Sequence, residues 1–219
     1  MITLTPQFIL FLETLLFSSV ILMNLARKNF QVVYLYAAQS LIITFVLFNS
    51  ALRDMSFLLL AVVMLTFLVK VIVAPYFFSG LLKKHQLHFT ASNYFNIPMT
   101  LVGLTAITIF SFSHFLRPLI ILAPKNENAL LLAMAMMFAS IFLTMNRKGV
   151  LSQMVGILSL ENAIVSFAFL SGLESSVGPQ VGILFDILVW IIIASIFASM
   201  IYRHFGSFDV STMKSLKEE

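Results

Sequence analysis

Long apolar runs broken by short charged or Gly- and Pro-bearing turns dominate this chain. Seven segments reach spanning length: Pro6 to Leu25, Phe30 to Ser50, Ser56 to Leu82, Asn96 to His114, Asn128 to Met145, Val150 to Gly172 and Gln180 to Tyr202. Each is close to the roughly 20 residues that a bilayer requires of a helix. The separators, such as Arg27-Lys28-Asn29, Arg53-Asp54, Lys83-Lys84-His85 and Asn146-Arg147-Lys148-Gly149, carry turn chemistry. The third segment contains Pro75, which removes a backbone donor and crowds the carbonyl of Val71, so the pattern predicts a kink there. The fold class expected is an all-α polytopic membrane bundle.

Composition agrees with the pattern. Apolar residues make up 60% of the chain, charged residues 10%, and mean hydropathy is +1.03, whereas a soluble domain carries about 25% charged residues. No polar stretch is long enough to fold outside the bilayer, so a single integral membrane domain is expected over residues 1–219. Within it, residues 1–125 hold four spans, 126–205 hold three, and 206–219 form a tail. The first run lacks a basic leader and a small-residue cleavage pattern, and reads as a retained span. With no cysteine, thiolate metal sites and iron–sulfur ligation are excluded from this chain, and no cofactor is expected in it.

Charge enters as orientation. Nine of the twelve basic residues outside the spans fall in the first, third and fifth loops and the tail, against Arg53, Arg117 and Lys125 on the other side. The positive-inside rule then predicts an external N-terminus and a cytoplasmic tail. Nothing else supports nucleic-acid binding, because the chain has no basic helix and no stacking platform outside the membrane.

The candidate chemistry lies in ionisable residues at membrane depth, where a charge costs roughly 2.5 to 3.5 kcal/mol on insertion scales. Glu161 is central in the sixth span, Lys70 is near the centre of the third, Asp186 lies one to two turns into the seventh, and Glu13 belongs to the first. Spans six and seven are joined by a short loop, so Glu161 and Asp186 are expected to face one another, with Lys70 tuning them if its helix adjoins. Carboxyls placed like this suit a proton or ion pathway. The competing readings are a buried bond that locks packing for Glu161, a snorkelling stem for Lys70, and solvated surface positions for Asp186 and for Glu13, whose segment Thr5 to Thr14 would ride near an interface. Glu174, His114 and His204 sit at span ends and read as interfacial.

The stretch Met145-Asn146-Arg147-Lys148-Gly149-Val150-Leu151 followed by Val155-Gly156-Ile157-Leu158-Ser159-Leu160-Glu161-Asn162-Ala163 resembles the K-type subunit of respiratory complex I. In that family a basic turn leads into a span with a Gly-Leu-Glu motif and an embedded glutamate; its glycine is Ser159 here. Asp186 occupies the place comparable to the family's second embedded glutamate. The whole chain, including Leu160-Glu161-Asn162, Gly172-Leu173-Glu174 and Gly182-Ile183-Leu184-Phe185-Asp186, resembles component E of hydrogenase-4. That resemblance implies a non-catalytic subunit of a group 4 hydrogenase or formate hydrogenlyase-type complex in a prokaryotic inner membrane. It would stand beside large antiporter-like subunits and peripheral hydrogenase subunits, with nickel–iron and iron–sulfur centres on those partners. Glu161 and Asp186 would then be proton-path residues. The C-type subunit of multisubunit sodium/proton antiporters is related and keeps the ion-translocation theme without redox.

Ala26-Arg27-Lys28-Asn29-Phe30 parallels Asn146-Arg147-Lys148-Gly149-Val150 at a separation of 120 residues. Aligned so, Leu41 falls where Glu161 does, beside Gln39 and Ser40, and a duplicated unit would run parallel. A stand-alone transporter would favour paired helix breaks, which Pro75 and Pro98 do not supply. A retinal protein would need a lysine in its last span. A purely structural assembly subunit remains the bland alternative.

Overall fold

The computed structural model describes residues 5–53, 57–84 and 92–172 together with Ser199. Among these the chain is helical, with one isolated bridge between Asn93 and Arg147. Helix α1 is Pro6–Leu25, α2 is Asn29–Arg53, α3 is Phe57–Thr66, α4 is Ala74–Lys84, α5 is Ile97–Ser111, α6 is Glu127–Asn146 and α7 is Val150–Leu170. Five stretches are long and apolar enough to cross a membrane: α1, α2, Leu60–Gly80, α6 and α7. The chain is a multi-pass α-helical membrane protein.

The expected boundaries are met closely at α1, α2, α6 and α7. Thr5 caps α1 by accepting from the Phe8 N–H at 3.3 Å, with Pro6 inside the first turn. The fourth expected span is shorter than the reading placed it. Asn96 caps it, its Oδ1 accepting from Met99 N–H at 3.0 Å, and the helix ends at Ser111 after 15 residues, followed by turns and a 3-10 segment Arg117–Leu122. The seventh span, with Asp186, lies outside the described residues.

The third span bends in a particular way. Between α3 and α4 the residues Phe67–Val73 form a π-helix, in which the Ala74 N–H bonds the Val69 carbonyl five residues back. Pro75 is the physical reason. It has no N–H for the Val71 carbonyl and its ring crowds that group, and a widened turn before it relieves the clash without breaking the span. Lys70 is the middle residue of the widened stretch.

Two helical hairpins lie side by side. The α1–α2 hairpin packs on the α6–α7 hairpin, α1 against α6 and α2 against α7, while the third span closes over α2. Helices α2 and α7 run parallel and in register, since Ser152 donates to Asn29 Oδ1 at 2.8 Å near both N-termini and Asn162 meets Ser40 halfway along. The α6–α7 interface is the most extensive. Across it Ser140 meets Ser159 and Gly156 faces Thr144, small residues that let backbones approach where lipid supplies no hydrophobic drive.

One end of this assembly is tied by polar bonds. Arg147, fully buried in the turn between α6 and α7, donates from Nη2 to the Met23 carbonyl in the last turn of α1. Burial pushes its guanidinium down to about 10, which leaves it charged at pH 7, the sign that suits a helix C-terminus. Lys148 N–H bonds Ser92 O at 3.0 Å, and Phe95 N–H bonds Asn146 Oδ1 at 2.9 Å. The segment leading into α5 is thereby stitched to the α6–α7 turn.

Candidate functional site: a buried lysine–glutamate centre

The site is organised by one face of α7. Ser152, Ser159, Asn162 and Ser166 recur at spacings that place them on a single helical stripe, and between them they bond α1, α2 and α6, with Ser152 reaching Asn29 at the start of α2. Ser159 Oγ shares a hydrogen bond of 2.9 Å with Ser140 Oγ on α6. Asn162 donates from Nδ2 to Ser40 Oγ at 3.0 Å and to Gln39 Oε1 at 3.3 Å, both on α2. Ser166 donates to Glu13 Oε1 on α1.

Lys70 completes the centre from the third span. Its Nζ lies 3.0 Å from Glu161 Oε1 and donates to Asn162 Oδ1 at 3.0 Å. The lysine is 1% exposed and the glutamate 22%, so the pair joins an enclosed cation to a carboxylate with a partly open side. Asn162 uses its carbonyl toward the ammonium and its amide toward α2, and thus carries the polar chain across three helices. Tyr36, buried on α2, adds a phenol next to Ser40 and in the field of Glu161. Lys70, Glu161, Asn162, Gln39 and Ser40 sit about halfway along their spans, roughly 15 to 18 Å from the span start at 1.5 Å per residue, and Tyr36 lies one turn nearer the start of α2.

Glu13 forms a second polar point. It is 3% exposed, which argues against the competing reading that it rides near an interface: α1 already begins at Pro6, so Glu13 lies about 10 Å into the helix. Its Oε2, like Gln39 Nε2, is buried without a hydrogen-bond partner among the described residues. Ser166 is one turn beyond Asn162, placing Glu13 roughly 6 Å further along α7 than the lysine centre.

Of the four residues expected to carry ion chemistry, the structure brings Lys70 and Glu161 into contact and buries Glu13 nearby, while Asp186 falls outside the described residues, as do Glu174 and His204. His114 is exposed just past the end of α5. Asn162, Gln39, Ser40 and Ser166 did not stand out as site residues. The register between the two basic turns held a signal for two of them: it set Gln39 and Ser40 beside the position equivalent to Glu161, and both bond α7, whereas Leu41 is 50% exposed. Among the described residues no group of three or more His, Cys, Asp or Glu could hold a metal ion.

Neither the family models, nor the curated proteins, nor the solved structures include a match to this chain.

Proposed function

We propose that this chain is a membrane-arm subunit of a group 4 hydrogenase or formate hydrogenlyase-type complex related to complex I, and that its Lys70–Glu161 centre takes part in proton or sodium translocation. One observation carries the ion-handling part: an ion pair of 3.0 Å built at mid-span from two different helices, with Asn162 as a second partner of the lysine. A pair of charges at that depth is a poor means of adding stability, because desolvation consumes most of the Coulomb gain. It is a good means of storing two states. A proton delivered to Glu161 dissolves the ion pair and leaves Lys70 held by Asn162; loss of that proton restores it. The π-helical turn around Lys70 is the kind of local irregularity that accompanies functional positions in helices. The assembly part of the proposal rests on the sequence resemblance to component E of hydrogenase-4, with redox centres on partner chains and a cytoplasmic C-terminus in an inner membrane.

A second reading has its own support. The Asn162 bonds tie α2, α7 and the third span into one unit, as a purely structural subunit would require. The two separate in one experiment. The complex is purified in mild detergent, its chains are identified, and pumping is measured after reconstitution for wild type and Glu161→Gln. Glutamine keeps shape and hydrogen-bonding capacity but cannot change protonation. The proposal expects nickel–iron and antiporter-like partners, an assembled variant and lost pumping. Full pumping in the assembled variant would make the centre a packing device, and antiporter-like partners alone would move the chain to a cation/proton antiporter.

A further inference from the structure

Where α1 ends and α2 begins, residues of both helices and of the turn between them line a groove of about 650 Å³. Its mouth carries Arg27 and Lys28, both exposed, and neither has a carboxylate partner among the described residues. Below them the walls are Leu22, Leu25 and Leu35, with Tyr34 along the side. Leu22 is 52% exposed and Tyr34 64%, so these two face outward from the bundle, away from Met23, Val32 and Val33, which enter the core, while the half-buried Leu35 forms the inner wall against it. Tyr34 lies six residues beyond Lys28, roughly 9 Å deeper along the helix. Gln31 spends its Oε1 on the Lys28 N–H at 3.3 Å and keeps its NH₂ group to donate. Among the described residues no acidic side chain lines the groove.

We propose that this groove is a binding site for an anionic phospholipid, whose headgroup phosphate pairs with Arg27 and Lys28 and whose acyl chain lies along Leu22, Leu25 and Leu35. The order of chemistry along the groove matches that molecule: two cations at the level of the phosphates, donors from Gln31 and the Tyr34 phenol at the level of the glycerol esters, and aliphatic wall below. Basic clusters at the ends of membrane helices attract anionic headgroups, and a ring with a polar tip is favoured at the interface. A free phosphate would use the cations and leave the apolar wall bare. This inference does not depend on the ion-handling proposal.

The test uses the full-length protein, delipidated in detergent and titrated with dioleoylphosphatidylglycerol, dioleoylphosphatidylcholine or inorganic phosphate, with melting temperature and bound lipid by native mass spectrometry as readouts. Phosphatidylglycerol alone should raise the melting temperature saturably. Joint replacement Arg27→Gln and Lys28→Gln should raise the half-saturating concentration about 30-fold, from roughly fivefold per basic residue near an anionic surface. Leu22→Trp keeps both cations but fills the groove, and should also weaken the response; it decides the matter if the double replacement does not fold. Lys83→Gln, at another exposed basic position, should change nothing. An equal response to phosphatidylcholine, reproduction of the effect by phosphate, no response to phosphatidylglycerol, or an unchanged response in the groove variants would each overturn the assignment.

Discussion

At the scale of residues, the lysine–glutamate pair sets a quantitative expectation. Removing one partner of a buried pair leaves an uncompensated charge and typically costs about 3–5 kcal/mol, whereas replacing both by apolar groups is often close to neutral. Lys70→Met should therefore destabilise strongly, somewhat less than the upper figure because Glu161 is 22% exposed and can recruit solvent. The pair Lys70→Met with Glu161→Leu should recover much of that loss while ion pumping stays abolished. A double-mutant cycle on unfolding in detergent measures it. Additive losses would mean that the 3.0 Å contact carries no coupling in solution.

The helices add constraints that no single residue shows. The close approach of α6 and α7 depends on Gly156, where an added Cβ would meet the Thr144 hydroxyl and lie 3.1 Å from both Thr144 Cα and N. Backbone cannot swing aside as a side chain end can, so Gly156→Ala should cost about 1–3 kcal/mol through overpacking. Gly80, on α4, has nothing within 4 Å of the same added atom, and Gly80→Ala should be neutral or stabilising by up to about 1 kcal/mol from helix propensity. Unfolding midpoints of the two alanine variants separate the cases. Equal effects would remove the argument for a glycine-dependent interface. Because Ser159 and Asn162 follow Gly156 on the same helix, the damaged variant should also weaken Lys70–Glu161 coupling in the cycle above.

The molecule as a whole must insert in one orientation. Nine of twelve basic residues outside the spans lie on one side by the sequence count, and the expected outcome is a cytoplasmic C-terminus. A reporter fused after Glu219 should be active in the cytoplasm and silent in the periplasm; the reverse would invert the whole assignment of loops. The stacking of the α1–α2 and α6–α7 hairpins in parallel is compatible with this count, since it places the two basic turns, Arg27-Lys28 and Arg147-Lys148, at the same end of the bundle. They have different fates there: Arg147 is buried as a cap for α1, while Arg27 and Lys28 remain exposed.

Much of the architecture was legible in the residues alone, because membrane spans follow from length and apolarity, and charged or Gly- and Pro-bearing turns mark where they end. The cost of charge at depth likewise singled out Lys70 and Glu161. Tertiary structure decided which helices meet. Sequence adjacency pointed Glu161 toward Asp186, which lies outside the described residues; that Lys70, 91 positions away, comes to 3.0 Å from Glu161 was decided by packing. Their meeting goes with α7 lying parallel to α2 and the third span closing over α2, and neither is a local property. Ser and Asn are ordinary in membrane helices, so Asn162 and Ser166 gave no signal until packing set each against a polar partner, and Ser40 gave only the one held by the register of the two basic turns. Hydrophobicity specifies that a helix is buried in lipid; only the interlocking of small residues between helices specifies which neighbour it keeps.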